Sequence, residues 1–184
     1  MATLPKTVTY EEWLQMPVVE DAIEEVVNGE IQILPPSKWE SHTIVVENLR
    51  QILGAQLDSK TVRVVGSVFG LVISQEPLTC RVPDLAVFHK QNIVKKDGYI
   101  HSAPELIVEV LSPSNTRRDR AEKIQDYERL QAPEVWVASP EARTVEVLLF
   151  EAGRLRTSSI FREGELQPKH FPEAHVDVTS IWDE

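Results

Sequence analysis

Cysteine is nearly missing from this chain: Cys80 is the only one in 184 residues. A lone thiol excludes an internal disulfide and leaves no partner for a structural zinc site, which fits a reducing compartment. A cysteine nucleophile has little support, because no His or Asn stands at a signature spacing from it; a small, semi-buried thiol is the expectation. Long apolar runs are also missing, since no stretch approaches the roughly 18 consecutive apolar residues of a membrane span. The opening MATLPKTVTYEEW lacks the basic, apolar and small-residue regions of a secretory signal, so a soluble, cytoplasmic protein with no membrane partner is expected. Basic residues are the minority, 19 Lys and Arg against 29 Asp and Glu, for a formal charge of -10. That balance excludes a broad polyanion-binding surface while leaving room for a local basic groove. There is no repeat, low-complexity tract or evident linker, and 184 residues with 42% hydrophobic side chains suit one globular domain over 1–184.

What is present reads as a mixed α/β chain. TVTYEEWLQM carries Thr9 and Glu12 at capping-box spacing, which predicts a short helix from Tyr10. In EEVVNGEIQIL, Asn28-Gly29 between β-branched runs predicts a type I′ hairpin with Glu25 on its first strand. SKWESHTIVVENLRQILGAQL repeats the capping-box spacing at Ser37 and Glu40. Its apolar positions Val45, Leu49, Ile52, Leu53 and Leu57 recur at helical intervals. TVRVVGSVFGLVIS, VPDLAVF and PELIVEVL then read as strands. NTRRDRAEKIQDYERLQAP is a polar helix with Ala121, Ile124, Tyr127 and Leu130 as its inner stripe and Pro133 just past its end. EVWVAS, RTVEVLLF and LRTSSIF are further strands joined by short turns. The sum is α/β, with one mixed central sheet flanked by helices.

Two carboxylates do not belong in such strands without a reason. Alternation along PELIVEVL puts Ile107, Glu109 and Leu111 on one face and Leu106, Val108 and Val110 on the other. An ionised Glu109 between aliphatic neighbours is costly to desolvate unless a cation or several donors meet it. In RVPDLAVF, Asp84 follows Pro83, which confines that point to a strand start, an edge or a bulge. If the two segments pair, Asp84 and Glu109 converge on an oxygen-rich site suited to a hard divalent cation, and without one they repel. Buried ion pairs with arginine are an equal alternative on these residues alone.

Pro83-Asp84 followed by Glu109-Val110-Leu111 resembles the PD-(D/E)XK nuclease core. The ordered set EEVVNGEI, His42, VPDLAVF, PELIVEVLSPSN, Asp119-Lys123-Tyr127 and PEVWVASP is similar to the Uma2 family of restriction-endonuclease-like proteins. It spans Tyr10 to about Val147. The resemblance implies a restriction-endonuclease-like mixed sheet and a metal-dependent endonuclease whose substrate is DNA and which works as a homodimer. In it Asp84 and Glu109 hold Mg2+ or Mn2+, the Val110 carbonyl is a further ligand, and Lys123 supplies positive charge at the reacting phosphate. Glu25 matches a recurrent glutamate that reaches the metal through water, and His42 matches a recurrent histidine. The superfamily's motif lysine would fall at Leu111, so catalysis rests on Lys123, which shares a helical stripe with Asp119 and Tyr127. Ser139 stands where many relatives have Asp, and no role attaches to it.

The competing expectations are local. Lys123 and Asp119 can pair as ordinary i, i+4 neighbours, Glu25 can make a cross-strand salt bridge, and a helix-start hydrogen bond competes for His42. Arg117, Arg118 and Arg120 suit phosphate contacts or a solvated helix face, and the four tryptophans suit core or interface packing. A catalytically weak or inactive nuclease-fold module that binds nucleic acid or protein is the alternative function. A structural oligomer with acidic interface pairs is the third.

Overall fold

The computed structural model describes residues 7–17, 19–20, 22–34, 39–66 and 69–183. The chain enters through α1 (Tyr10–Leu14), capped as the sequence predicts: Thr9 Oγ1 accepts from the Glu12 N–H and Glu12 accepts from the Thr9 N–H. Tyr10 and Trp13 are its buried face. β1 (Ile23–Val27) and β2 (Glu30–Leu34) follow as an antiparallel hairpin. At its turn Asn28 has φ 51° and Gly29 φ 84°, the two positive values a type I′ turn needs. α2 (Glu40–Gln56) buries Val45, Leu49 and Leu53. Its predicted cap, Ser37, lies outside the described residues, and Trp39 occupies the N-cap position without a capping hydrogen bond from its side chain.

β3 (Val62–Gly66), β4 (Leu71–Gln75), β5 (Leu78–Arg81), β6 (Leu85–His89), β7 (Lys95–Lys96), β8 (Tyr99–Ile100) and β9 (Leu106–Val110) come next. α3 (Arg117–Arg129) then leads into β10 (Glu134–Ser139), β11 (Thr144–Glu151), β12 (Arg154–Phe161), β13 (Glu165–Leu166) and β14 (Val176–Asp177). Among the described residues the strands form two six-stranded sheets, ordered β2-β1-β5-β4-β8-β7 and β12-β11-β10-β9-β6-β3, and a β13-β14 ribbon. The sequence predicted one central sheet. TVRVVGSVFGLVIS is the point of departure, because it supplies β3 to one sheet and β4 to the other. Periodicity reveals strands but not their partners, and pairing is decided by distant segments.

The second sheet is mixed: β9 pairs with β10 in parallel through the α3 crossover and with β6 antiparallel. α2 covers one face, where Val45, Leu49 and Leu53 join Leu106, Val108 and Val110. α3 serves the other, where Tyr127, with partly buried Ile124 and Leu130, joins Ile107, Val135 and Val137. The alternation read from PELIVEVL is therefore the division between the two cores. Ala121, assigned to the inner stripe of α3, is exposed, while Asp126 is buried; an ion pair replaces part of the apolar face. Leu166, Phe171, Val176, Val178 and Ile181 from the C-terminal segment complete the α2-side core. Trp13 and Trp136 are buried, and Trp39 is about half exposed.

Candidate functional site

The chain passes from the first sheet to the second at Val82-Pro83-Asp84, between the end of β5 and the start of β6. Proline suits that crossing, since it lacks the N–H that a central ladder would require. Leu85 pairs with Val108, so Asp84 arrives at the C-terminal end of β9. There Asp84 Oδ2 accepts the Val110 N–H at 2.7 Å, and Oδ1 lies 3.3 Å from His42 Nε2 of α2.

Glu109 points to the α3 side. Lys123 Nζ donates to its Oε2 at 2.8 Å, and the Tyr127 hydroxyl donates to its Oε1. The four-residue spacing that puts both on one helical stripe thus delivers two donors to one buried carboxylate. Burial, with the nearby Asp84 charge and against the pull of Lys123 and Tyr127, pushes Glu109 up to about 7. Burial opposes the charge on Lys123, but the carboxylates of Glu109, Glu25 and Asp84 outweigh it and hold the ammonium above its ordinary range. Tyr127 is raised well above the usual phenol value by burial and by Glu109, so it is a donor and not a base.

Glu25 on β1 reaches the same place from the first sheet. It is 1% exposed. Its Oε1 accepts the Val82 N–H at 3.0 Å and lies 3.6 Å from Lys123 Nζ, while its Oε2 accepts from Arg81 Nη1 at 2.9 Å. The cross-strand ion pair expected for Glu25 is present with Arg81, and its other oxygen faces the Lys123 ammonium. His42 is drawn to Asp84 and not confined to its own helix start. Asp84, Glu109, Lys123, Glu25 and His42 are therefore brought together, with Val110 contributing its amide to Asp84.

Asp119 has a different task. It closes a capping box with Thr116 at the start of α3, and those bonds hold its carboxyl below the usual range. It also borders a cavity of about 20 Å³ with Glu109, Val110 and Lys123, roughly the space of one water. Arg118 pairs with Glu122 and Arg120 with Glu146, while Arg117 is exposed. A larger cleft of about 580 Å³ lies between the β1-β2 hairpin and α3, away from this cluster, with Arg81 and Asp126 in its lining. Cys80 is fully buried and its thiol is pushed up to about 12, chiefly by burial, which leaves it inert.

Sequence reasoning missed Arg81 and Asp126. Arg81, 4% exposed, donates from Nε to Asp126 Oδ2 at 2.7 Å as well as to Glu25. The signal was present in LTCRVP, where a charge interrupts an apolar run as Glu109 does.

Comparisons with known proteins agree with this architecture. No curated protein matches the chain. A solved structure described as "a putative nuclease belonging to DUF820 from Anabaena variabilis ATCC 29413" is similar, with TM-score 0.77 and 20% identity over 95% of this chain and 97% of that one. At that identity the likeness concerns the fold. Residues 10–179 match the family described as "Uma2: Putative restriction endonuclease", and the chain belongs to that nuclease family.

Proposed function

We propose that the protein is a metal-dependent endonuclease that hydrolyses phosphodiester bonds of DNA, acting as one nuclease domain over 1–184 in a cytoplasmic homodimer. The observation that supports it is a carboxylate pair, Asp84 and Glu109, met by Lys123 from a different element. The donor set fits Mg2+ or Mn2+. Both are hard cations that take oxygen, and Mg2+ typically needs only one or two carboxylates while keeping several waters. The charge of Asp84 already works against ionisation of Glu109, a repulsion that a shared cation relieves.

Asp84, Glu109 and the Val110 carbonyl would hold a divalent ion, which would lower the pKa of a bound water and neutralise charge on phosphate oxygens. The chain's own residues do the rest. The Val110 N–H and His42 orient Asp84, and Tyr127 orients Glu109. Lys123 places a fixed positive charge where charge develops on the phosphate, the duty that Leu111 cannot perform. Glu25 holds the far side of the ammonium.

A second reading has its own support. Lys123 and Tyr127 between them engage both oxygens of Glu109, which is how a nuclease scaffold retired to binding would look. Calorimetric titration with Mn2+ separates the two. The nuclease reading expects binding by the wild type, loss of it in Asp84→Ala and Glu109→Ala, and DNA cleavage that falls sharply in Lys123→Ala. A wild-type protein that takes up no divalent ion near neutral pH overturns it. Metal binding without cleavage of plasmid or single-stranded DNA favours the binding module.

A further inference from the structure

Arg81 does not touch the Asp84–Glu109 pair, yet it ties together the elements that control Lys123. Its guanidinium is fixed at two angles, Nη1 on Glu25 of β1 at 2.9 Å and Nε on Asp126 of α3 at 2.7 Å. Asp126 lies three residues beyond Lys123 on the same helix, so the Nε bond sets where α3 sits. Glu25 faces the Lys123 ammonium at 3.6 Å, so the Nη1 bond sets one of its acceptors. A planar fork can hold two carboxylates on different elements at once; a lysine, with a compact point charge on a flexible stem, reproduces that poorly.

We propose that Arg81 is a positioning residue for Lys123, and that the Glu25–Arg81–Asp126 chain keeps a second carboxylate in place for the ammonium when Glu109 is otherwise engaged. In the structure Lys123 Nζ is closer to Glu109, 2.8 Å, than to Glu25, 3.6 Å. A cation on Glu109 would repel the ammonium, and Glu25 is the acceptor already within reach. Held by the Val82 N–H and by Arg81, it cannot follow the lysine outward. Without that anchor the Lys123 side chain, 21% exposed, has an open route to solvent. The consequence for turnover rests on the nuclease reading; the placement of Lys123 does not.

A purely structural Arg81 would alter stability and nothing else, so the test reads Lys123 itself. Folded, metal-free protein is treated with formaldehyde and a hydride donor, and methylation of each lysine is followed by mass spectrometry. Lys123 in the wild type is expected to react slowly beside the exposed Lys95 and Lys96. Arg81→Lys is expected to speed Lys123 several-fold as its side chain gains access to solvent, with Lys95 and Lys96 unchanged. Glu25→Gln should do the same, and the double variant should add little to either single change if Arg81 works through Glu25.

An unaltered Lys123 rate in folded Arg81→Lys overturns the proposal, as do fully additive effects in the double variant. If Arg81→Lys does not fold, Asp126→Asn cuts the other end of the same link, and the same acceleration or its absence decides. With DNA as substrate, kcat is expected to fall in Arg81→Lys while KM holds. Because methylation requires neither metal nor DNA, failure of the nuclease reading would appear as absent Mn2+ binding and leave the lysine result standing.

Discussion

Glu109 makes the stability of the metal-free protein fall as pH rises. Its carboxyl is raised from 4.5 to about 7, first by burial and then by Asp84, against the pull of Lys123 and Tyr127. The folded state therefore holds this proton more tightly than the unfolded chain does. The contribution is fully present below the unfolded value and is lost as pH climbs through the folded one. The shift from 4.5 to about 7 is worth roughly 3 kcal/mol, most of which disappears between about pH 5 and about pH 8. Glu109→Gln keeps the shape and removes the titration. Lys123, raised by its carboxylate neighbours, stays charged across this window, so its own titration adds no slope to the comparison. Urea denaturation in the presence of chelator, repeated at several pH values, gives the wild-type minus variant difference. It should move against the wild type by roughly 2–3 kcal/mol over the window. A flat difference would refute the reasoning, and a difference growing in favour of the wild type would mean that Lys123 outweighs burial.

Three other outcomes are expected. Tyr127→Phe strips one donor from the buried Glu109 carboxylate and should lower stability by roughly 1–3 kcal/mol in the same denaturation assay. Gly29→Ala, at φ 84° with a new Cβ only 2.7 Å from Thr7 Cβ, should cost about 1–2 kcal/mol in a thermal melt. Mn2+ at about a hundredfold above its dissociation constant should stabilise the wild type by roughly 2.7 kcal/mol and leave the melting temperature of Asp84→Ala unmoved.

Much of the fold was legible because its signals are local. The Thr9 capping box, the Asn28-Gly29 turn and the apolar stripe of α2 each act over a few residues, and each stands in the structure as the sequence implied. The division into two sheets was not legible, because β3 and β4 look alike as sequence and differ only in which distant strand each meets. Nor was the closing of the α2-side core by Phe171, Val176 and Ile181, whose spacing has no single period. Ala121 failed for a related reason: the buried side of α3 is not purely apolar, since Asp126 turns inward to Arg81.

At the site one physical rule, that a charge in an apolar strand requires a partner, was enough to expect something positive against Glu109; Lys123 itself came from the family resemblance, and its ammonium stands there. The same rule applied to Arg81 would have exposed the Glu25–Arg81–Asp126 chain, and the arginine pairing weighed for Asp84 and Glu109 is realised there instead. The structure also gives a reason for a lysine on the helix. Leu111 is partly buried in the cluster that includes Ile107, Ile124 and Leu130, so a lysine at that position would push methylenes and charge into the layer that seats α3. Lys123 approaches from the rim with part of its side chain in solvent. Its ammonium meets Glu109 there while the apolar contact between strand and helix is kept. A cation for Glu109 and apolar packing of α3 conflict at position 111 and are compatible at 123.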